Sequence, residues 1–252
     1  MEKAPWKSIS QKVKNFELKK GITSFVNPYS MLLLKNETGI VEGVNQWCID
    51  GISFVKAFNA SFKKNISRYS FDDTSVASIV IPVAKRDNLK VAVVGTEERY
   101  IKTAVSNIEE KYSIKISLYR NGYFSSSEER SQYLQQLFDS KVDMVICGMG
   151  TPHQEKFLID LRSMGWDGYG FTCGGYLHQI AKKKNYYPPM IDKWNLRWVY
   201  RIVDEPKLFK RYILHYPVFF LEFLLSIKSF TNPDYPKSSL QTGNCKSFNQ
   251  RT

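Results

Sequence analysis

The stretch Val142-Asp-Met-Val-Ile-Cys-Gly-Met-Gly-Thr-Pro-His-Gln-Glu-Lys156 contains one whole strand-to-helix unit. An apolar run of strand length, Val142–Cys147, leaves through Gly148 and Gly150 and turns at Pro152. Gln154 and Glu155 then open a segment of helical spacing, Gln154–Met164. A parallel strand covered by helices on both faces reads as such a near-continuous apolar run. Glycines at its carboxyl end let the backbone turn sharply and come close to a ligand.

The same unit recurs along the chain. Leu89–Gly95 reads as a strand, with Gly95-Thr96 leading to a helix over Glu97–Lys111. Lys115–Tyr119 is a further strand, closed by Asn121-Gly122-Tyr123-Phe124, and Ser125–Ser127 supply caps for a helix over Glu128–Phe138. Gly168–Cys173 ends in Gly174-Gly175 ahead of a helix over Tyr176–Lys184. Nearer the N-terminus, residues 1–20 read as a surface arm or short helix. The apolar Ile22–Val26 runs into Asn27-Pro28, and Tyr29–Lys35 has helical spacing. Asn45–Ile49 is a short strand ending at Asp50-Gly51, and Ile52–Phe58 is again helical. Between them and Leu89, residues 63–88 mix serine, asparagine and charge around an apolar Val76–Val83. This alternation predicts an α/β fold, a Rossmann-like, mainly parallel sheet with helices on both faces. Ligands of such folds bind outside the carboxyl ends of the strands, where all of these glycines fall.

Composition narrows the function. The 252 residues are 43% hydrophobic and 24% charged, a globular balance, and the net charge of +12 points to a polyanionic partner: nucleic acid, an anionic membrane or a phosphorylated substrate. Cys48, Cys147, Cys173 and Cys245 have no metal-ligand spacing, the three histidines are scattered, and reduced thiols are expected. The N-terminus carries no secretory h-region, and no apolar run reaches the roughly 18 residues of a spanning helix.

Two site readings compete at each glycine turn. Gly95-Thr96, Gly122-Tyr123, Gly148-Met-Gly150 and Gly174-Gly175 are either ordinary strand-to-helix turns or the backbone cradle of a phosphate-bearing ligand. Their recurrence on one edge favours the cradle. None fits the Gly-x-Gly-x-x-Gly or Walker pattern, which disfavours an ordinary dinucleotide or P-loop site. Asp50 is either a general base or a turn residue.

The last third changes character. Between Ala181 and Arg211 nine Lys/Arg face three acids, and the aromatic Tyr212–Leu225 follows. Consecutive basic and aromatic blocks suit an interfacial membrane element, whereas nucleic-acid surfaces interleave the two, so no nucleic-acid partner is expected. The expected division is a core over 1–190, a basic-aromatic helical C-terminal appendage over 191–230 that associates with membrane, and a flexible tail over 231–252.

Taken together, the motifs resemble the WecG/TagA/CpsF family of bacterial glycosyltransferases. Gly148-x-Gly150-x-Pro152-x-Gln154-Glu155 matches its Gly-x-Gly-x-Pro-Lys-Gln-Glu, and Asn121-Gly122-Tyr123-Phe124 its His-Gly-Tyr-Phe. Val26-Asn27 and Asp50-Gly51-Ile52 match its early Asn and Asp-Gly pair. Trp198-Val-Tyr-Arg201 and Glu205-Pro206-Lys207, with Arg211, match Trp-Leu-Tyr-Arg and Glu-Pro-x-Arg. The resemblance implies inverting transfer of a sugar from a UDP-sugar to a polyprenyl-diphosphate-linked sugar, without metal or cofactor, during assembly of bacterial surface polysaccharide. The setting implied is the inner face of the cytoplasmic membrane. It assigns Asp50 as base and Arg201, Lys207 and Arg211 as cations closing over the site. Asn27, the glycine turns with Thr96, Tyr123 and Phe124, and Gln154 and Glu155 become the candidate walls of the UDP-sugar pocket. The family's Gly-Val-Gly-Gly-x-Phe-Asp stands here as Thr172-Cys-Gly174-Gly175-Tyr-Leu177-His178, which leaves the donor open among N-acetylmannosamine, its uronic acid, glucose and other hexoses. The alternative is a UDP-sugar-binding or regulatory protein of the same fold without turnover. The oligomeric state stays open, a homo-oligomer included.

Overall fold

A computed structural model describes residues 5–184, 186–188, 190, 191, 194 and 197–231, with the side chains of 5–7, 207 and 228–231 left out. Six strands form one sheet: β1 (Gly21–Val26), β2 (Gln46–Ile49), β3 (Val91–Gly95), β4 (Ile116–Arg120), β5 (Met144–Gly148) and β6 (Tyr169–Thr172). Their order is β2-β1-β6-β5-β3-β4, and every pairing is parallel. The expected mainly parallel α/β fold is therefore present, and the sheet is wholly parallel.

Side-chain alternation along the strands divides the core in two. Ala92, Val94, Val145 and Cys147 point to one face, and Val91, Val93, Met144 and Ile146 to the other. The first face is covered by α1 (Pro5–Lys12), α2 (Pro28–Leu33), α3 (Thr38–Gly43), α4 (Ile52–Phe62), α7 (Ser127–Asp139) and α8 (His153–Ser163). The second is covered by α5 (Ala77–Arg86), α6 (Glu98–Tyr112) and α9 (Tyr176–Lys182). Connections leave β5 for α8 and β6 for α9, on opposite faces. Adjacent strands that diverge in this way open a crevice at their carboxyl ends.

The local reasons are chemical. Asn27 caps α2, its Oδ1 accepting from the N–H groups of Tyr29 and Ser30, both at 3.0 Å. Ser126 caps α7 by accepting from the Glu129 N–H at 3.2 Å. The N-terminal segment is a helix rather than a loose arm, with Ile9 and Val13 buried in the core. Gly95 has φ +145°, and a Cβ there would meet the Gly148 carbonyl oxygen at 2.4 Å, so no other residue fits between these strand ends.

The C-terminal segment continues as α10 (Arg197–Asp204), a 3₁₀ turn (Pro206–Leu208), a π-helical turn (Arg211–His215) and α11 (Tyr216–Thr231). It is pinned by α11, whose Phe219 and Phe223 lie buried against Phe54 at centroid distances of 4.8 and 5.6 Å. The aromatic block is thus partly core. Its other face, including Ile213, Leu214, Val218 and Leu221, is exposed. Among the described residues no helix is long and apolar enough to cross a membrane. The expected flexible tail lies, beyond Thr231, outside the described residues.

Candidate active site

A cavity of about 400 Å³ opens at the carboxyl edge of the sheet, roofed by the C-terminal segment. Of the residues singled out from sequence, Asn27, Asp50, Thr96, Tyr123, Gly148, Gly150, Gln154, Gly174, Gly175, Arg201 and Arg211 line it. Residues far apart in the chain converge because each follows a strand, or descends from the roof.

Asp50 follows β2 directly, its N–H donating to the Val26 carbonyl at 2.7 Å. Its carboxylate faces Arg68 Nη1 at 3.4 Å. Burial beneath the roof raises the Asp50 carboxyl above its usual range. Arg68 opposes the rise, Asp72 adds to it, and Arg201 and Arg197 also oppose it.

Arg68 and Asp72 were not singled out by the sequence, because both lie in the polar stretch 63–88. That stretch nevertheless held a signal. Fourteen residues separate α4 from α5, and a connection of that length in a compact domain is usually functional. Asp72 lines the cavity and accepts from the Thr74 N–H (2.9 Å), the Thr74 hydroxyl (2.7 Å), the Ser70 hydroxyl and Arg197 Nη1 (2.8 Å). This buried pair ties the start of α10 to the core. One turn on, Arg201 Nη2 would touch a Cβ at Gly175 at 3.2 Å, so the glycine lets the guanidinium settle on the turn. Its Nε is buried with no hydrogen-bond partner among the described residues. Arg211 lies over the Tyr29 ring at 4.4 Å.

The remaining expected residues have other places. Gly95 and Gly122 stack behind the floor, where a Cβ on Gly122 would lie 3.1 Å from the Gly95 Cα. Phe124 stacks on Phe157 at 5.9 Å under the Arg120 guanidinium, so it is a packing residue. Pro152 follows a cis bond and begins α8 behind the lining.

Glu155 corrects the expectation that it faces a donor: it is fully buried behind the cavity wall. Its Oε1 accepts from the Ser24 hydroxyl (2.8 Å), the Thr151 hydroxyl (3.1 Å) and Gln154 Nε2 (3.1 Å), while Oε2 has no partner among the described residues. Burial raises its carboxyl above the ordinary range. Gln154 in turn accepts the Gly174 N–H at 3.2 Å, joining the loops after β5 and β6. That turn therefore has one backbone donor already engaged. The side chain of Lys207 lies outside the described residues.

The cavity can hold a negatively charged ligand under two guanidiniums, with a carboxylate of raised proton affinity on its wall. No group of three or more His, Cys, Asp or Glu able to hold a metal occurs among the described residues.

The chain is similar to known glycosyltransferases. A UDP-Gal:alpha-D-GlcNAc-diphosphoundecaprenol beta-1,4-galactosyltransferase of Shigella boydii is 37% identical over 205 residues, covering 81% of this chain and 86% of that protein. An N-acetylglucosaminyldiphosphoundecaprenol N-acetyl-beta-D-mannosaminyltransferase of Bacillus subtilis (strain 168) is 27% identical over 220 residues, 86% of this chain and 83% of that protein. Residues 2–232 match the family model for glycosyl transferases of the WecG/TagA/CpsF type. Nearly the whole chain thus fits one family description, and it belongs to the WecG/TagA/CpsF family of glycosyl transferases.

Proposed function

We propose that this protein transfers a hexose or N-acetylhexosamine unit from UDP to a sugar carried on a polyprenyl diphosphate, with inversion and without a metal, in the building of a bacterial surface polysaccharide. The observation that carries the reading is one cavity lined by the Asp50 carboxylate and by the guanidiniums of Arg201 and Arg211. The names of both relatives give a diphosphoundecaprenol-linked acceptor and a β-linked product, which supports the acceptor class.

Asp50 takes the proton of the acceptor hydroxyl as that oxygen forms its bond to the anomeric carbon. The bond from this carbon to the diphosphate breaks on the opposite side, and the electron pair leaves with UDP. Arg201 and Arg211 receive the charge that develops on the diphosphate, in a site partly shielded from water where such donors act strongly. Burial helps the base, since a carboxylate with raised proton affinity accepts a proton more readily.

The exposed apolar side chains Val203, Phe209, Ile213, Leu214, Val218 and Leu221 support reversible docking of the C-terminal segment on an anionic leaflet, beside the lipid-linked acceptor. Each nearby Lys or Arg would add about 1 kcal/mol. This reading makes the protein peripheral on the inner face of the cytoplasmic membrane.

The test is turnover of a UDP-sugar panel with a polyprenyl-diphosphate–GlcNAc acceptor. UDP release that depends on acceptor, and falls by at least about 100-fold in Asp50→Asn with the fold intact, is the expected result. Wild-type turnover by Asp50→Asn removes the base assignment. For docking, anionic vesicles should float the wild type and release a Leu214→Asp, Leu221→Asp variant; equal flotation of both removes the membrane reading.

A further inference from the structure

We infer that Gln179 and Tyr187 are specificity-determining residues, whose carboxamide and hydroxyl hydrogen-bond the hydroxyls of the transferred sugar. The inference rests on the transferase reading above and names the side chains that read its donor.

Gln179 stands on α9 with only 6% of its surface exposed, and its carboxamide has no hydrogen-bond partner among the described residues. Buried amides are nearly always paired, because an unpaired one forfeits its hydrogen bonds to water without return. Gln179 instead lines the cavity. Its Nε2 lies 3.3 Å from the point where a Cβ on Gly175 would stand, and Arg201 Nη2 lies 3.2 Å from the same point. The amide is thus a neighbour of the guanidinium assigned above to the diphosphate.

Its side of α9 decides which part of the donor it meets. The preceding residue, His178, packs edge-on against Tyr100 of α6 at 4.5 Å. Successive helical residues are about 100° apart, so Gln179 turns away from α6. It shares an adjoining cavity of about 230 Å³ with Asp72, Thr74 and Tyr187. Tyr187 lines both cavities. Its ring is held by the Arg197 guanidinium at 4.8 Å and by the rings of Tyr186 and Tyr200 at 4.9 and 6.0 Å. Its hydroxyl has no hydrogen-bond partner among the described residues either. Burial raises the proton affinity of this phenol, Arg201 opposes the rise, and Asp50 and Asp72 add to it, so the hydroxyl keeps its proton within the field of both Asp50 and Arg201.

A donor whose anomeric carbon faces Asp50 and whose diphosphate meets Arg201 lays its sugar ring in the interval between them. Gln179 and Tyr187 border that interval. A carboxamide offers two N–H donors and a carbonyl acceptor, and a phenol adds one donor and an acceptor, a set that matches hydroxyls, which both give and take hydrogen bonds. Such a site rejects a sugar that lacks the hydroxyl, because its own buried groups are then left unpaired.

The test crosses two variants, Gln179→Met and Tyr187→Phe, with monodeoxy versions of whichever UDP-sugar the full-length protein consumes in the presence of a polyprenyl-diphosphate–GlcNAc acceptor. Urea unfolding checks the fold of each variant, and Tyr187→Phe, which keeps the ring, serves if methionine disturbs α9. In the wild type at least one deoxy donor should lose about tenfold or more in kcat/KM. In the variant lacking the matching side-chain group the same deletion should cost less than about twofold, whereas a merely structural role would leave the two penalties equal. Equal penalties in a folded variant overturn the assignment of that residue. A wild type that loses less than tenfold with every deoxy donor overturns the whole inference and leaves the transferase reading standing. If the wild type consumes no UDP-sugar with the acceptor, the transferase reading itself fails and the inference falls with it.

Discussion

Replacing Arg197 with methionine separates the hold of the C-terminal segment from the chemistry beneath it. Arg197 Nη1 lies 2.8 Å from Asp72 Oδ2, and each side chain is only 11% exposed. Removing one partner of a buried pair leaves the other charge stranded, a loss of about 3–5 kcal/mol. Asp72 would keep its donors from Ser70 and Thr74, so the loss belongs at the lower end, about 3 kcal/mol, or roughly a hundredfold in an equilibrium constant. If that energy holds α10 down, amide exchange in peptides covering 197–231 should speed up about a hundredfold while peptides of β3 and β5 keep their protection. The donor KM should rise with it, since Arg201 stands one turn beyond Arg197 on the same helix. Pairing Arg197→Met with Asp72→Asn removes both charges and should recover much of the protection, because neither partner is then stranded. Protection within threefold of wild type in the single variant would refute the reasoning, as would a double variant that loses the sum of the two single losses.

Three further outcomes follow from particular groups. As the proposed base, Asp50 would act when ionised and its carboxyl is raised by burial, so the acid limb of kcat/KM should lie above the ordinary aspartate range; Arg68→Met, which removes an opposing cation, should move that limb to higher pH, and an unmoved limb would contradict the pairing. Glu155 is raised in the folded state, so the folded protein keeps a proton that the unfolded chain has released. Its contribution should make stability fall as pH climbs from the unfolded value of about 4.3 through the folded one, and Glu155→Gln should flatten that slope in urea titrations. Gly95→Ala should cost about 3 kcal/mol or more in the same titration, because its Cβ meets backbone at 2.4 Å with φ at +145°, whereas Gly150→Ala, with open space around it, should cost clearly less.

Much of this architecture could be read from local pattern. Met144–Cys147 and Val91–Val94 are apolar without interruption because helices cover both faces of β5 and β3, and that marks them as central parallel strands. The helix over Thr38–Gly43 went unread, since six residues with two glycines carry little periodicity. The candidate site was legible where a residue follows a strand, as Asp50 and Gly150 do, because the sheet edge gathers such positions. Arg68 and Asp72 sit in an irregular connection whose path is set by packing, and no local pattern reports where its side chains arrive. Glu155 shows the converse limit. Its motif was visible, but whether a carboxylate beside a glycine loop faces ligand or core depends on the Ser24 hydroxyl, which lies 131 residues away in sequence.

The position of β6 between β1 and β5 has a consequence for synthesis. A chain still emerging from the ribosome makes β1 and β2 first, and then β3, β4 and β5, but these two groups share no strand pairing until residues 169–172 arrive. Until then each half has an open inner edge of unpaired N–H and C=O groups, a known hazard for association with other chains. The strand that closes this gap also carries Thr172 into the turn at Gly174 and Gly175, so joining the halves and completing the floor are one event. On the proposed function, binding of a UDP-sugar therefore reports that the sheet has closed.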